Sequence, residues 1–279
     1  MKYKEVKCGD IVFSNSLPIK YISGTCIIES RENYTKTVSE LKRIFNSEKS
    51  KFIAKASFDK ANRTSISSFR GVDFDEAMDI LREVKTGYGV KLLVDIHLPS
   101  QAERIAEVAD IIQIPAFLSR QTDLIIAAAE TGKVVNVKKG QFMSPWDVEN
   151  IIKKIESRGN KKILLTERGV SFGYNNLVVD MRSFEVMKQF GYPVIYDATH
   201  SVQRPGGLGN KTGGDREFIF PLSRAAVATG IAGIFFETHI NPEKALSDGP
   251  NSIKLSDAKK YISVLNRIDK LIKSIIKEE

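Results

Sequence analysis

The chain has 279 residues, of which 42% are hydrophobic and 27% charged; that is enough for one large α/β domain and excludes a disordered or collagen-like polymer. No apolar run approaches the roughly 18 residues needed to span a bilayer, which excludes a helical membrane protein. An excess of 42 Lys and Arg over 34 Asp and Glu gives a net charge of +8, suited to phosphorylated metabolites, anionic lipid or nucleic acid without choosing among them.

The first residues, Met1-Lys-Tyr-Lys-Glu-Val-Lys, lack the apolar core of a signal peptide, so a cytoplasmic location is expected. Two cysteines, Cys8 and Cys26, are too few for a disulfide framework and are expected as thiols. Residues 1–21, with Val6, Ile11 and Phe13 around Cys8-Gly9-Asp10, read as a β-hairpin. Beyond it, short β-branched or apolar runs alternate eight times with stretches of helical spacing. The runs are Ile22–Ile28, Phe52–Ala56, Lys91–Asp95, Ile111–Ile114, Val134–Val137, Lys162–Thr166, Pro193–Tyr196 and Gly233–Glu237. Helical spacing covers Asn33–Phe45, Phe74–Thr86, Arg120–Thr131 and Pro145–Glu156. In the last segment, Asp257–Lys277, it sets Tyr261, Val264, Leu265, Ile268, Leu271, Ile272 and Ile275 on one face with lysines opposite. Eight such units predict an α/β fold, a parallel (β/α)8 TIM barrel forming one domain over residues 1–279, its floor capped by the N-terminal hairpin. An open doubly wound sheet is the alternative, but no G-x-G-x-x-G follows the first strand.

A barrel carries its active site at the C-terminal ends of its strands. All three histidines, His97, His200 and His239, fall at such ends. Strand eight lies between seven and one, so Cys26, His200 and Glu237 come from three consecutive staves and can converge. With Asp248 from the loop after strand eight, they offer a thiolate, an imidazole and two carboxylates, a set suited to Zn²⁺, Fe²⁺ or Mn²⁺. The bland reading keeps Cys26 as a small buried hydrophobe, salt-bridges the two acids and makes His200 a general base. The opposite arc is basic: Lys55, Lys60, Arg63, Lys138 and Arg168 would face the mouth and suit phosphate and carboxylate. Solvated surface charge is the ordinary alternative. A glycine-rich loop, Pro205 to Gly214, reads equally as a lid or as a mobile surface loop. The C-terminal lysines look like the solvated side of an amphipathic helix, not a nucleic-acid strip.

Six segments, taken together, resemble a known family. They are Lys55-Ala-Ser-Phe-Asp-Lys-Ala-Asn-Arg63, Gln113-Ile-Pro-Ala-Phe-Leu-Ser-Arg120-Gln-Thr-Asp123, Asn136-Val-Lys-Lys-Gly-Gln-Phe142, Glu167-Arg-Gly, Phe172-Gly-Tyr-Asn-Asn-Leu-Val-Val-Asp180 and Asp197-Ala-Thr-His200. In this order, over nearly the whole chain, they resemble 3-deoxy-D-manno-octulosonate 8-phosphate synthase. That family is a TIM barrel, usually tetrameric. It condenses phosphoenolpyruvate with D-arabinose 5-phosphate and releases phosphate, on the way to lipopolysaccharide.

The resemblance implies the metal-dependent class, because Cys26 stands where the metal-independent class has Asn. It places a divalent metal on Cys26, His200, Glu237 and Asp248. It implies that Lys60, Gln113, Lys138 and Arg168 hold phosphoenolpyruvate, with Lys55 and Ser57 bordering it. Asn62, Arg63 and Thr64 would bind the sugar phosphate, and Arg120 would reach it from a neighbouring subunit of a homotetramer. Asp95 and His97 would line the cavity, and the chemistry is expected from Lys60, Lys138, His200, Asp95 and His97. Leu98 replaces the more usual Glu and Asn210 the more usual Asp, changes that bear on rim polarity and loop closure. The related synthase that uses erythrose 4-phosphate typically reads Lys-Pro-Arg-Thr-Ser where this chain has Lys60-Ala-Asn62-Arg63-Thr-Ser; the extra polar residue favours the longer sugar. A non-catalytic phospho-sugar sensor on the same scaffold is a further alternative, opposed by the intact set of ligands and anion donors.

Overall fold

In the computed structural model, which describes residues 3–63, 65–206 and 213–278, the β-branched runs form eight parallel strands. They are β1 (Lys20–Gly24), β2 (Phe52–Ala56), β3 (Lys91–Asp95), β4 (Ile111–Ile114), β5 (Val134–Lys138), β6 (Ile163–Glu167), β7 (Val194–Asp197) and β8 (Gly233–His239). Strands covered on both faces have no reason to alternate polar and apolar residues, and β2, β5, β6 and β8 are buried at every position. Neighbours pair in order from β1 to β7, and β8 pairs with both β7 and β1, so the ring closes without a free edge.

A helix follows each strand: α1 (Arg31–Ser47), α2 (Phe74–Tyr88), α3 (Ala102–Val108), α4 (Thr122–Glu130), α5 (Val148–Glu156), α6 (Arg182–Lys188), α7 (Ile219–Ala228) and α8 (Ala258–Glu278). The Ser30 side chain caps α1 by accepting the Asn33 N–H, and Tyr34, Val38, Leu41 and Phe45 form its buried stripe. Val148, Ile151, Ile152 and Ile155 do the same for α5. Each such side chain contributes about 1.5–3 kcal/mol on burial, so the helices are held by the barrel more than by their own propensity. Among the described residues, no helix is long and apolar enough to cross a membrane.

The N-terminal hairpin pairs Val6–Cys8 with Ile11–Phe13. It sits at the barrel floor, beneath the start of β7: Asn15 Nδ2 donates to Tyr192 O at 2.9 Å, and Asn15 Oδ1 accepts the Val194 N–H at 2.9 Å.

Two sequence expectations are corrected. The first strand ends at Gly24, not at Ile28. The carbonyls of Thr25 and Cys26 turn inward to the Lys55 ammonium, at 3.1 and 2.6 Å, instead of pairing with a strand. The expected apolar face of α8 also stops short. Leu271 and Ile275 are exposed, whereas Asp269 and Lys273 are buried. Asp269 Oδ2 accepts the Ile19 N–H at 3.0 Å, and Lys273 Nζ donates to the carbonyls of Gly230 and Ile231 at 2.8 and 3.0 Å. This polar pair therefore ties the helix to the floor, a role that hydrophobic periodicity cannot express.

Candidate active site

At the opposite end of the barrel, the strand ends enclose a chamber of about 400 Å³ lined by Lys55, Lys60, Asn62, Arg63, Asp95, His97, Gln113, Lys138, Arg168, His200, Glu237 and Asp248. Gly24 makes part of this possible. A Cβ there would lie 2.0 Å from the Lys55 carbonyl, so only glycine lets β1 and β2 approach closely enough at the rim.

The basic arc is ordered by carboxylates. Lys55 is 2% exposed and donates to Glu237 Oε1 at 2.7 Å. Lys138 Nζ lies 2.6 Å from Asp197 Oδ2 and 3.8 Å from the centre of the Phe235 ring. Arg168 donates to Gln203 Oε1 at 2.8 Å and keeps Nη1 buried without a hydrogen-bond partner among the described residues. Its backbone turn is fixed by Glu167, whose Oε1 accepts the N–H groups of Arg168 and Gly169. Gln113 is oriented from below: Asn136 Nδ2 donates to its Oε1 at 2.9 Å, and Thr166 donates to Asn136, which assigns the Gln113 amide N–H₂ to the chamber. Arg63 is held by the loop after β8, donating to Ser247 Oγ at 2.8 Å and to the Leu246 carbonyl at 2.6 Å.

Burial alone would push the chamber's carboxyl groups up, but their basic neighbours win. His200, Lys55, Lys60 and Lys138 hold Glu237 well below the usual carboxylate range. His200 and Lys138 do the same for Asp197, and His97, Lys55 and Lys60 for Asp95. Burial lowers Lys138 against the pull of Asp197 and Glu237.

Against these cations, and not on an opposite arc as the sequence suggested, one ligand atom each from Cys26, Glu237 and Asp248 lies within 4.8 Å of the others. His200 Nε2 is 3.5 Å from Glu237 Oε1 and 3.8 Å from Asp248 Oδ2. Three features fit a divalent cation here. The donors are one sulfur, one imidazole nitrogen and carboxylate oxygens. Glu237 Oε2 is buried with no hydrogen-bond partner among the described residues. Asp248 is a non-glycine residue at φ 50°, a conformation that turns its carboxylate inward at a cost in backbone strain. Lys55 donates to Glu237, and Lys60 donates to Asp248 at 3.2 Å. Burial, with Asp248 and Glu237, pushes the Cys26 thiol up, and its Sγ–H donates to Asp248 Oδ2 at 3.0 Å. A bound cation would replace that proton.

Most expected site residues meet in this chamber; among the described residues, three do not line it. Cys26 lies behind it, in contact with Ser247 and Asp248. Ser57 is fully buried and donates to Asp95 Oδ2 at 2.9 Å. Arg120 is exposed, away from the chamber of its own chain. Thr64 lies outside the described residues, as do residues 207–212 of the glycine-rich loop, Asn210 among them; the flanks of that loop pair as Gln203–Arg204 with Gly213–Gly214. His97 Nε2 is 3.5 Å from Asp95 Oδ2 on the chamber wall, as their two-residue spacing requires. His239 instead leaves the chamber to meet Glu29 and Asn33. Sequence reasoning missed Asp197 as a site residue, although it ends β7 three positions before His200, and it missed the chamber-lining Gln141, Gln203 and Ser247.

The DAHP synthetase I family matches residues 3–274. A 2-dehydro-3-deoxyphosphooctonate aldolase of Geotalea daltonii is 55% identical over 270 residues, 97% of this chain and 99% of the relative. Proteins of the same name from Geobacter sulfurreducens and Fusobacterium nucleatum are 53% and 51% identical, each over 97% of this chain and over 99% and 98% of their own lengths.

Proposed function

The chain belongs to the DAHP synthetase I family and, within it, to the 2-dehydro-3-deoxyphosphooctonate aldolases; from that premise we infer that it condenses phosphoenolpyruvate with D-arabinose 5-phosphate and water. The products are 3-deoxy-D-manno-octulosonate 8-phosphate and phosphate, a step toward lipopolysaccharide. The observation that carries this reading is the chamber itself, where five cationic side chains converge on a space large enough for two small phosphorylated anions. The names of the relatives favour the eight-carbon product over the seven-carbon one made from erythrose 4-phosphate.

Two anions repel, and the first task of the site is to cancel that repulsion and fix one orientation. In our reading Lys60, Lys138, Arg168 and the Gln113 amide hold phosphoenolpyruvate, with Lys55 and Ser57 beneath it. Arg168 Nη1, unpaired among the described residues, supports this assignment, because a buried guanidinium N–H is costly unless an anion supplies its partner. Asn62, Arg63 and Thr64 take the sugar phosphate. Arg63 would then exchange Ser247 and the Leu246 carbonyl for phosphate oxygens. Arg120 reaches the same phosphate from a neighbouring subunit, in a homotetramer, and the enzyme works in the cytoplasm.

Carbon 3 of phosphoenolpyruvate attacks the sugar aldehyde, forming the new carbon–carbon bond while water adds at carbon 2. The tetrahedral phosphohemiketal then loses phosphate with cleavage of the carbon–oxygen bond. One proton leaves the water and one is taken up by the aldehyde oxygen, so the proton count balances. Lys60 and Lys138 hold protons at Nζ, and His97, beside Asp95, is placed on the same wall to exchange one. Cys26, His200, Glu237 and Asp248 would hold a divalent cation, Zn²⁺, Fe²⁺, Mn²⁺ or a similar ion, which supplies Lewis acidity toward an aldehyde oxygen or a water.

Turnover in ¹⁸O-labelled water tests this reading. The label is expected in the eight-carbon acid and not in the released phosphate. Labelled phosphate would contradict the cleavage, and no phosphate release would contradict the function.

A further inference from the structure

Asp197 belongs to neither the expected ligands nor the expected substrate contacts, yet like Glu237 it is a rim charge with no exposed surface. Its two oxygens do different things. Oδ1 accepts the backbone N–H of His200 at 2.9 Å, closing the turn that follows β7. The His200 ring nitrogen Nδ1 lies 3.1 Å from Oδ1 and 2.9 Å from Oδ2. Oδ2 also meets Lys138 Nζ at 2.6 Å.

His200 Nδ1 therefore has two neighbours that demand opposite protonation. A carboxylate requires an N–H there, whereas the Lys138 ammonium, 3.4 Å away, requires a lone pair. The carboxylate is nearer, with Oδ1 in hydrogen-bonding geometry to Nδ1 at 3.1 Å, and the Lys138 ammonium forms its ion pair with the same carboxylate at 2.6 Å. The proton thus belongs on Nδ1, and the lone pair on Nε2, the atom that faces Glu237 and Asp248 at 3.5 and 3.8 Å.

We infer that Asp197 is a positioning residue that fixes the His200 tautomer and ring plane so that Nε2 presents its lone pair to the cation site. This rests on the metal reading made above. Carboxylates behind a ligating histidine commonly strengthen binding by roughly 10- to 100-fold. By also pairing with Lys138, Asp197 couples the cation side of the chamber to the anion side through one buried group.

The test is Co²⁺ binding by metal-free protein, followed by the thiolate-to-cobalt absorption band and by competition with a chelator. The wild type is expected to show the band, and Asp197→Asn to bind roughly 10- to 100-fold more weakly with an altered spectrum. A folded Asp197→Asn protein with the same affinity and the same spectrum would overturn the inference while leaving the metal site standing. Absence of cobalt binding in the wild type would instead remove the metal reading, and this inference with it. Should the variant not fold, ¹⁵N shifts of the three histidine rings in metal-free wild type decide, with His200 identified by its loss in His200→Gln. An Nδ1–H ring at His200 supports the inference; an Nε2–H ring overturns it.

Discussion

Replacing Lys55 with methionine keeps the stem of the side chain and removes only the ammonium. That group donates to the carbonyls of Thr25 and Cys26 and to Glu237 Oε1, all within 3.1 Å and all away from water. Its loss leaves a buried carboxylate without its nearest counter-charge, and breaking a buried pair in this way costs about 3–5 kcal/mol. At about 2–4 °C per kcal/mol for a large domain, thermal unfolding of chelator-treated Lys55→Met should shift down by about 6–20 °C. The cost is mostly that of the stranded charge, so it should not persist when the charge is removed as well. The double variant Lys55→Met/Glu237→Gln is expected to recover about 1–3 kcal/mol relative to the sum of the single changes. Circular dichroism during heating, with urea midpoints as a check, measures both quantities. A Lys55→Met protein within about 1 kcal/mol of the wild type, below the range for a broken buried pair, would refute the reasoning. So would strict additivity in the double variant.

Three further outcomes are expected. Chelation should abolish phosphate release and Zn²⁺, Fe²⁺ or Mn²⁺ should restore it, while full turnover in chelator would remove Cys26 from the ligand set. Arg120→Ala should raise the Michaelis constant for the sugar phosphate with much less effect on that for phosphoenolpyruvate; an unchanged value for the sugar would count against a site shared between subunits. Asp95, Asp197 and Glu237 titrate below their ordinary values of 3.8, 3.8 and 4.5, so the stability they contribute is complete above those values and lost as pH falls through the lower folded ones. Unfolding free energy measured against pH should therefore decline below about pH 4.5, and a flat profile down to about pH 3 would contradict the charged network.

The barrel was legible because its strands and helices leave separate signatures: β2, β3 and β4 run over the expected residues, and α2 begins at the expected Phe74. Lys60, Arg63, Lys138, Arg168, His200, Glu237 and Asp248 were legible because the fold obliges strand ends to meet. What the sequence concealed depends on polar contacts far apart in the chain. The ammonium of Lys55 ends β1 early, and no local pattern records a partner some thirty residues away. Buried Asp269 and Lys273 interrupt the apolar face of α8 because they satisfy backbone groups of other elements, which a helical wheel counts as solvent-facing. Asp197 was given no site role beyond its place in the Asp197-Ala-Thr-His200 segment for a related reason: its importance lies in touching His200 and Lys138 at once, and Lys138 belongs to a strand nearly sixty residues earlier. His239 shows the converse, a histidine at a strand end that its neighbours Glu29 and Asn33 draw out of the chamber.

The most direct test compares phosphate release from phosphoenolpyruvate with arabinose 5-phosphate and with erythrose 4-phosphate, each with and without chelator. Fast, chelator-sensitive release with the five-carbon sugar and little with the four-carbon one is the predicted result. Equal use of both sugars, or release that chelation leaves untouched, would contradict the account.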